Sequence, residues 1–381
     1  MRLDCFATLA MTFFFMTDVI LCVDIGTTSL KAALVTADGE VASFCSVPIE
    51  DSPNPAGSKN EFAASLWYGA FYQAVKELKN QLPVTTIEKI VISGNGPTVV
   101  SDSGYTVFWN EDFSDIEIPD DAEVQKSFFV PNLLALKKRA PKIYKKSRKI
   151  FSGPEYLIYV LTGNAVTILP EARFEAAYWN DEMLDACGIK KDLLPPFVGP
   201  GSVCGTFEDC PVFAGGPDFL VALIGTGTLK AGRLCDRCGS SEGLNFCTDR
   251  PVTGQGLRTL PSVVPGLWNV SYLIPDSGEL SENERLAAVE KGVNALKAAA
   301  GSAGLSFPSE MAVTGGQTND ELLLREKEQR LGMKILRPVD NHFVHSELLG
   351  DACAGWSGLG TYESLPAAAE KIVRMRAYEN L

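Results

Sequence analysis

Histidine is almost absent from the chain: His342 and His345 are the only two among 381 residues. Both lie far along the sequence from Cys235-x-x-Cys238 and Cys247, so no four-ligand zinc pattern is evident. The ten cysteines are scattered from Cys5 to Cys353 without a dense framework, which reads as reduced thiols in a cytoplasmic protein. Positive charge is also scarce. The 34 Lys and Arg against 47 Asp and Glu leave a formal charge of −13, which argues against nucleic-acid or membrane partners because such surfaces are met by basic patches. The uncharged run from Phe6 to Thr17, 12 residues, is too short to cross a bilayer. Finally, neither G-x-x-x-x-G-K-[ST] nor G-x-G-x-x-G occurs, which removes two familiar glycine-rich phosphate loops.

What remains is a globular composition, 46% hydrophobic, in a chain long enough for two cored domains. Residues 1–15 read as an upstream extension, with translation starting at Met16. The organising stretch follows. Val19 to Val23 has the length and β-branched content of a buried strand, Asp24 ends it, and Gly26, Thr27 and Thr28 make a polar turn. The glycine admits close backbone approach and the hydroxyls can bond phosphate oxygens. Leu30, Ala32 and Leu34 then alternate as a second strand, making a phosphate-cradling hairpin with no helix after its turn.

Further along, a helical stripe at Trp67, Phe71, Val75 and Leu78 precedes a strand centred on Ile90-Val91-Ile92, which opens into the loop Gly94-Asn95-Gly96-Pro97-Thr98. Trp67 and Trp109 are expected in the core. The lysine- and arginine-rich stretch from Pro131 to Phe151 is expected to be a solvated helix face. Gly199-Pro200-Gly201 reads as a linker, which divides the chain into residues 16–205 and 206–381. The second part repeats the first part's architecture. Val212 to Gly216 delivers a carboxylate at Asp218, the apolar run Phe219 to Ile224 reads as a strand leading to Gly225-Thr226-Gly227-Thr228, and the strand Met311 to Thr314 leads to Gly315-Gly316-Gln317. Asn319 is expected to cap the helix that follows.

Taken in order and spacing, these units resemble the FGGY carbohydrate kinases, most closely their xylulokinase-like members, over roughly residues 18 to 375. The resemblance implies an α/β fold of two ribonuclease-H-like domains, the actin-like ATPase arrangement, with a nucleotide cleft between them. It implies ATP and Mg²⁺ as cofactors and a sugar or polyol, favourably a xylulose-like ketose, as acceptor. Asp218 falls on the family's general base, Asp24 on the Mg²⁺ position, and Asn95 with Gly96 on a sugar contact. Gly26, Thr27 and Thr28 would hold phosphates from the first domain, and Gly225, Thr226 and Gly227 from the second. Gly315, Gly316 and Asn319 would line adenosine. The chain departs from the pattern around residues 278–282, where the family carries a longer closing segment, at Pro131-Asn132-Leu133, and at Phe219. These departures leave a second reading, a catalytically impaired nucleotide- or sugar-binding sensor, and a homodimer is compatible with either.

Overall fold

The computed structural model describes residues 18–49, 59–82, 87, 89–239, 242–339 and 345–377. The extension expected over residues 1–15 lies outside them. Two large sheets dominate the fold. In the first, β1 (Val19–Ile25), β2 (Ser29–Thr36) and β3 (Val41–Pro48) form an antiparallel meander. Helix α1 (Lys59–Gln81) then leads to β4 (Ile90–Gly94), parallel to β1. Helix α2 (Gly153–Thr162) packs against β4. The hairpin of β5 (Val203–Phe207) and β6 (Cys210–Pro217) completes the order β5-β6-β4-β1-β2-β3, with β6 parallel to β4. Helix α3 (Asp218–Gly225) continues directly from β6.

The second sheet is built from β7 (Leu234–Cys238), β8 (Glu242–Thr248), β9 (Arg258–Pro261), β10 (Trp268–Ile274), β11 (Glu310–Thr314), β12 (Lys334–Pro338) and β13 (Met375–Ala377), in the order β9-β10-β8-β7-β11-β12-β13. With the edge strands set aside, both sheets place their strands in the order third-second-first-fourth-fifth, antiparallel among the first three and parallel beyond. The architecture is therefore duplicated. The β1–β2 hairpin of one sheet and the β7–β8 hairpin of the other occupy equivalent places.

Burial on both faces explains why β1 reads as a continuous apolar run. Ile20 and Cys22 join one core with Val91 and Phe213, while Leu21, Val23 and Ile25 join another with Trp67 and Phe71 of α1. A third core lies where the second sheet meets α4 (Glu282–Ser302), through Val289, Val293 and Leu296, together with Leu324 of α5 (Glu321–Leu331). Helix α4 begins in a capping box, Ser281 with Glu284, that offsets orphan donors in its first turn.

Several sequence-based expectations are corrected by this architecture. Residues 219–224 belong to a helix, α3, and not to a strand. A six-residue apolar run carries no period that separates a buried strand from a buried helix, and an acidic first residue favours the helix. The division at 205/206 falls inside β5, and β6 also hydrogen-bonds into the first sheet. Helix α6 (Ser346–Gly358), although late in the chain, packs on β1, β4, β6 and α3 as well. Asp320, not Asn319, caps α5: its Oδ1 accepts from the backbone N–H groups of Leu322 and Leu323, each at 3.1 Å. Trp67 is buried as expected, whereas Trp109 is 45% exposed. The basic stretch lies on surface helices, where Arg139 pairs with Glu111 and Lys138 with Asp115.

Candidate active site

The carboxyl ends of β1, β4 and β6 converge, and each delivers a polar residue there. Asp24 is the next-to-last residue of β1, Asn95 follows β4, and Asp218 follows β6. Asn95 N–H donates to Ile25 O at 2.8 Å, which holds the two loops together. Gly26 turns the chain tightly: its N–H donates to Ser29 O at 2.9 Å, and a Cβ at Gly26 would sit 2.7 Å from that oxygen. Thr28 is exposed beside it.

Asp24 is buried, 2% exposed. Its register partner on β2 is Lys31, whose ammonium donates to Asp24 Oδ2 at 3.4 Å, while Oδ1 is buried without a hydrogen-bond partner. Burial raises the Asp24 pKa, and Lys31 opposes that rise. Its register partner on β4 is Ser93, which donates to Asp351 Oδ2 at 2.7 Å. Asp351 and Glu347 stand one turn apart on α6, hence on one face. Burial pushes Asp351 far above the ordinary carboxylate range.

From the second sheet, Arg237 of β7 reaches this cluster. Its Nη2 lies 3.4 Å from Glu347 Oε1. Burial works against its charge, but Glu347 and Asp218 outweigh that and keep the guanidinium firmly protonated. Asp218 is half-buried at the amino end of α3, and its Oδ1 accepts from the Phe219 N–H at 2.6 Å. Burial lifts its carboxyl to about 7; Arg237 pulls it down, and the charges of Asp24 and Glu347 push it up. Asp24 and Asp218 therefore feel one another, in a charged cluster that also holds Lys31, Arg237, Glu347 and Asp351.

Asn95 is 1% exposed, and neither its Oδ1 nor its Nδ2 has a hydrogen-bond partner. Gly315, with φ of +94°, lies against Cys238 so closely that a Cβ would stand 2.3 Å from the Cys238 carbonyl oxygen. Gly316 and Asn319 are exposed beyond it.

The turn at Gly225, Thr226 and Gly227 is elsewhere. A Cβ on Gly225 would meet Ser346 O at 1.7 Å, so this glycine exists to let α3 and α6 touch. The hydroxyls of Thr226 and Thr228 bond each other at 2.8 Å, and Thr226 also donates to Leu223 O. Both threonines lie by Cys235, at the start of β7, whereas Gly315 lies by Cys238 at its end, about 10 Å away at the usual rise per strand residue. Gly225 thus packs between α3 and α6, while Thr226 and Gly227 line a separate cavity with Lys230, Arg233 and Glu370.

Lys31, Arg237, Glu347 and Asp351 escape sequence reading. The available signal was the pair Asp236-Arg237 inside an otherwise apolar strand and Asp351 inside a helix of small residues. Charge in such places needs a buried partner.

No family model matches the chain. It is 24% identical over 213 residues to the xylulose kinase of Staphylococcus xylosus, covering 49% of this chain and 44% of the relative. It is 23% identical over 254 residues to the xylulose kinase of Escherichia coli, covering 58% and 52%. The chain thus spans about half the length of the curated relatives it matches. Among solved structures, a xyloylose kinase from Brucella ovis superposes with a TM-score of 0.75 at 16% identity, over 94% of this chain and 93% of that one. Plasmodium falciparum glycerol kinase with ADP superposes with a TM-score of 0.76 at 15% identity, over 95% and 94%. In sequence the chain is similar to these xylulose kinases, and it has the fold of the two solved carbohydrate kinases.

Proposed function

We propose that the chain is an ATP-dependent carbohydrate kinase that transfers the γ-phosphate of ATP to a hydroxyl of a sugar or polyol, with a xylulose-like ketose favoured. The observation that carries this reading is Asp218: a carboxylate at the junction of the two sheets, its pKa lifted to about 7, with the cations Lys31 and Arg237 in the same charged cluster. Phosphoryl transfer asks the protein for position, for charge that offsets the phosphates, and for an acceptor of the hydroxyl proton. Asp218 takes that proton. Asn95, with two unsatisfied polar atoms, and Gly96 face the acceptor. Gly26, Thr27 and Thr28 face phosphates from the first domain.

From the second domain the equivalent hairpin does so, leaving β7 at Gly239, in place of Gly225 to Gly227. Gly315, Gly316 and Asn319 line adenosine. Mg²⁺ fits at Asp24, whose buried Oδ1 lacks a donor. When bound there, through water, the ion would offset phosphate charge.

A screen of ATP consumption over pentuloses, hexuloses, glycerol and gluconate tests the reading. Acceptor-dependent ADP release is expected. Nucleotide binding without any acceptor-dependent turnover would favour the sensor instead.

A base must be deprotonated to act. With Asp218 near 7, kcat/KM for the acceptor is expected to climb about tenfold per pH unit below that value and to level off above it. A profile flat from roughly pH 5.5 to 8.5 would remove Asp218 from that role.

A further inference from the structure

Behind the glycine turns of the second domain lies a fully buried lysine. Lys327, on α5, has 0% exposure, and its ammonium donates to Asp236 Oδ2 at 2.6 Å, Glu242 Oε1 at 2.9 Å and Cys238 Sγ at 3.4 Å. Ligand atoms of those three residues lie within 4.8 Å of one another, a spacing suited to a metal ion. The cation among them is part of the chain and cannot dissociate. Burial works against its charge, yet Asp236, Cys238 and Glu242 outweigh burial and keep it protonated. A leucine would fill the same core at no cost in desolvation, so a fourfold polar cluster at this point calls for a use beyond filling space.

Its position supplies one. Asp236 and Cys238 close β7 and Glu242 opens β8, so a single ammonium grips the end of one strand and the start of the next. Glu242 Oε2 in turn accepts from Gln317 Nε2 at 3.4 Å, and Gln317 belongs to the same turn as Gly315, which presses on the Cys238 carbonyl. The end of β7, the start of β8 and the Gly315 turn are thereby tied together around Lys327. Arg237 lies between Asp236 and Cys238 and points to the opposite face of the strand, toward Glu347, so the brace also bears on the cleft.

We infer that Lys327 is a positioning residue for the adenine nucleotide: an internal cation that fixes the facing ends of β7 and β8 and the Gly315 turn in register with each other. This rests on the proposal that those segments face the nucleotide. Lys327 touches no substrate itself, so its loss weakens nucleotide binding.

The single change Lys327→Met leaves buried carboxylates unpaired and is expected to fold poorly. The informative variant therefore combines Lys327→Met with Asp236→Asn and Glu242→Gln, which removes every charge of the cluster, and Lys327→Arg is prepared beside it to keep the cation. Titration with ADP and Mg²⁺ by calorimetry, together with thermal unfolding, reads the result. The neutral variant is expected to melt close to the wild type yet bind ADP about 10- to 100-fold more weakly, the usual loss when a group behind the contacting atoms is removed. Lys327→Arg is expected to keep more affinity than the neutral variant. Unchanged ADP affinity in a folded neutral variant would overturn the inference and leave the nucleotide reading intact. Absence of ADP binding by the wild type would overturn both.

Discussion

Asp218→Ala is expected to lower turnover about 10²- to 10⁴-fold while leaving ADP affinity little changed, the signature of a removed general base. Geometry comes before electrostatics in this assignment. Asp218 ends the approach of β6 to the cleft, and its Oδ1 is oriented by the Phe219 N–H. Burial then places its proton affinity near neutrality, where a carboxylate is basic enough to take a hydroxyl proton yet ionised at working pH. Asp218→Asn keeps the shape and loses only the basicity, so it should fall with alanine. Steady-state assays with the best acceptor, paired with ADP titration, check this. Full activity in either variant would refute the role, and equal losses of turnover and nucleotide binding would point to a damaged site instead.

Gly225→Ala should be strongly destabilising, and it should act on folding, not on phosphate binding. The added Cβ would meet Ser346 O at 1.7 Å and Gly350 N at 2.8 Å, both backbone atoms with no rotamer to yield. Across the same contact, a Cβ on Gly350 would meet Val221 O at 2.0 Å. Overpacking commonly costs about 1–3 kcal/mol, and a clash with backbone on a helix crossing belongs at or above the top of that range. Set against a typical total of about 5–15 kcal/mol, that is enough to empty the soluble fraction or sharply lower the melting temperature. Thermal unfolding of purified Gly225→Ala and Gly350→Ala measures it. A Gly225→Ala protein with the melting temperature of the wild type and weakened nucleotide binding would return Gly225 to the phosphate site.

Asp24 and Asp218 were legible as candidates because each stands where an apolar strand meets a glycine-containing turn. Asp24 before Gly26 and Asp218 after Gly215-Gly216 both announce a chain leaving a sheet edge. Gly225 to Thr228 imitates that pattern, but its preceding run is a helix whose glycine serves close packing. Six apolar residues do not distinguish the two. Lys31 was hidden as the polar alternate of a strand that reads Leu30, Ala32, Leu34, and only the register to Asp24 reveals it. Arg237 and Glu347 are separated by 110 residues, and nothing local to either predicts their meeting. The duplicated strand order was equally out of reach, since pairing among distant strands is fixed by three-dimensional packing. That order is what identifies the β7–β8 hairpin as the partner of the β1–β2 hairpin.

The short connection after β10 bears on the chemistry. Residues Ser277–Glu279 form a single turn before α4, where the family resemblance implies a longer closing segment. A cleft less well closed would let water compete with the acceptor for the γ-phosphate. The most direct measurement is therefore the fate of that phosphate. With γ-labelled ATP, Mg²⁺ and the ketoses and polyols of the acceptor screen, label is expected on at least one carbohydrate, and about 10²- to 10⁴-fold more slowly when Asp218 is replaced by alanine. Label found solely as inorganic phosphate, at a rate indifferent to every acceptor and to Asp218, would contradict the account.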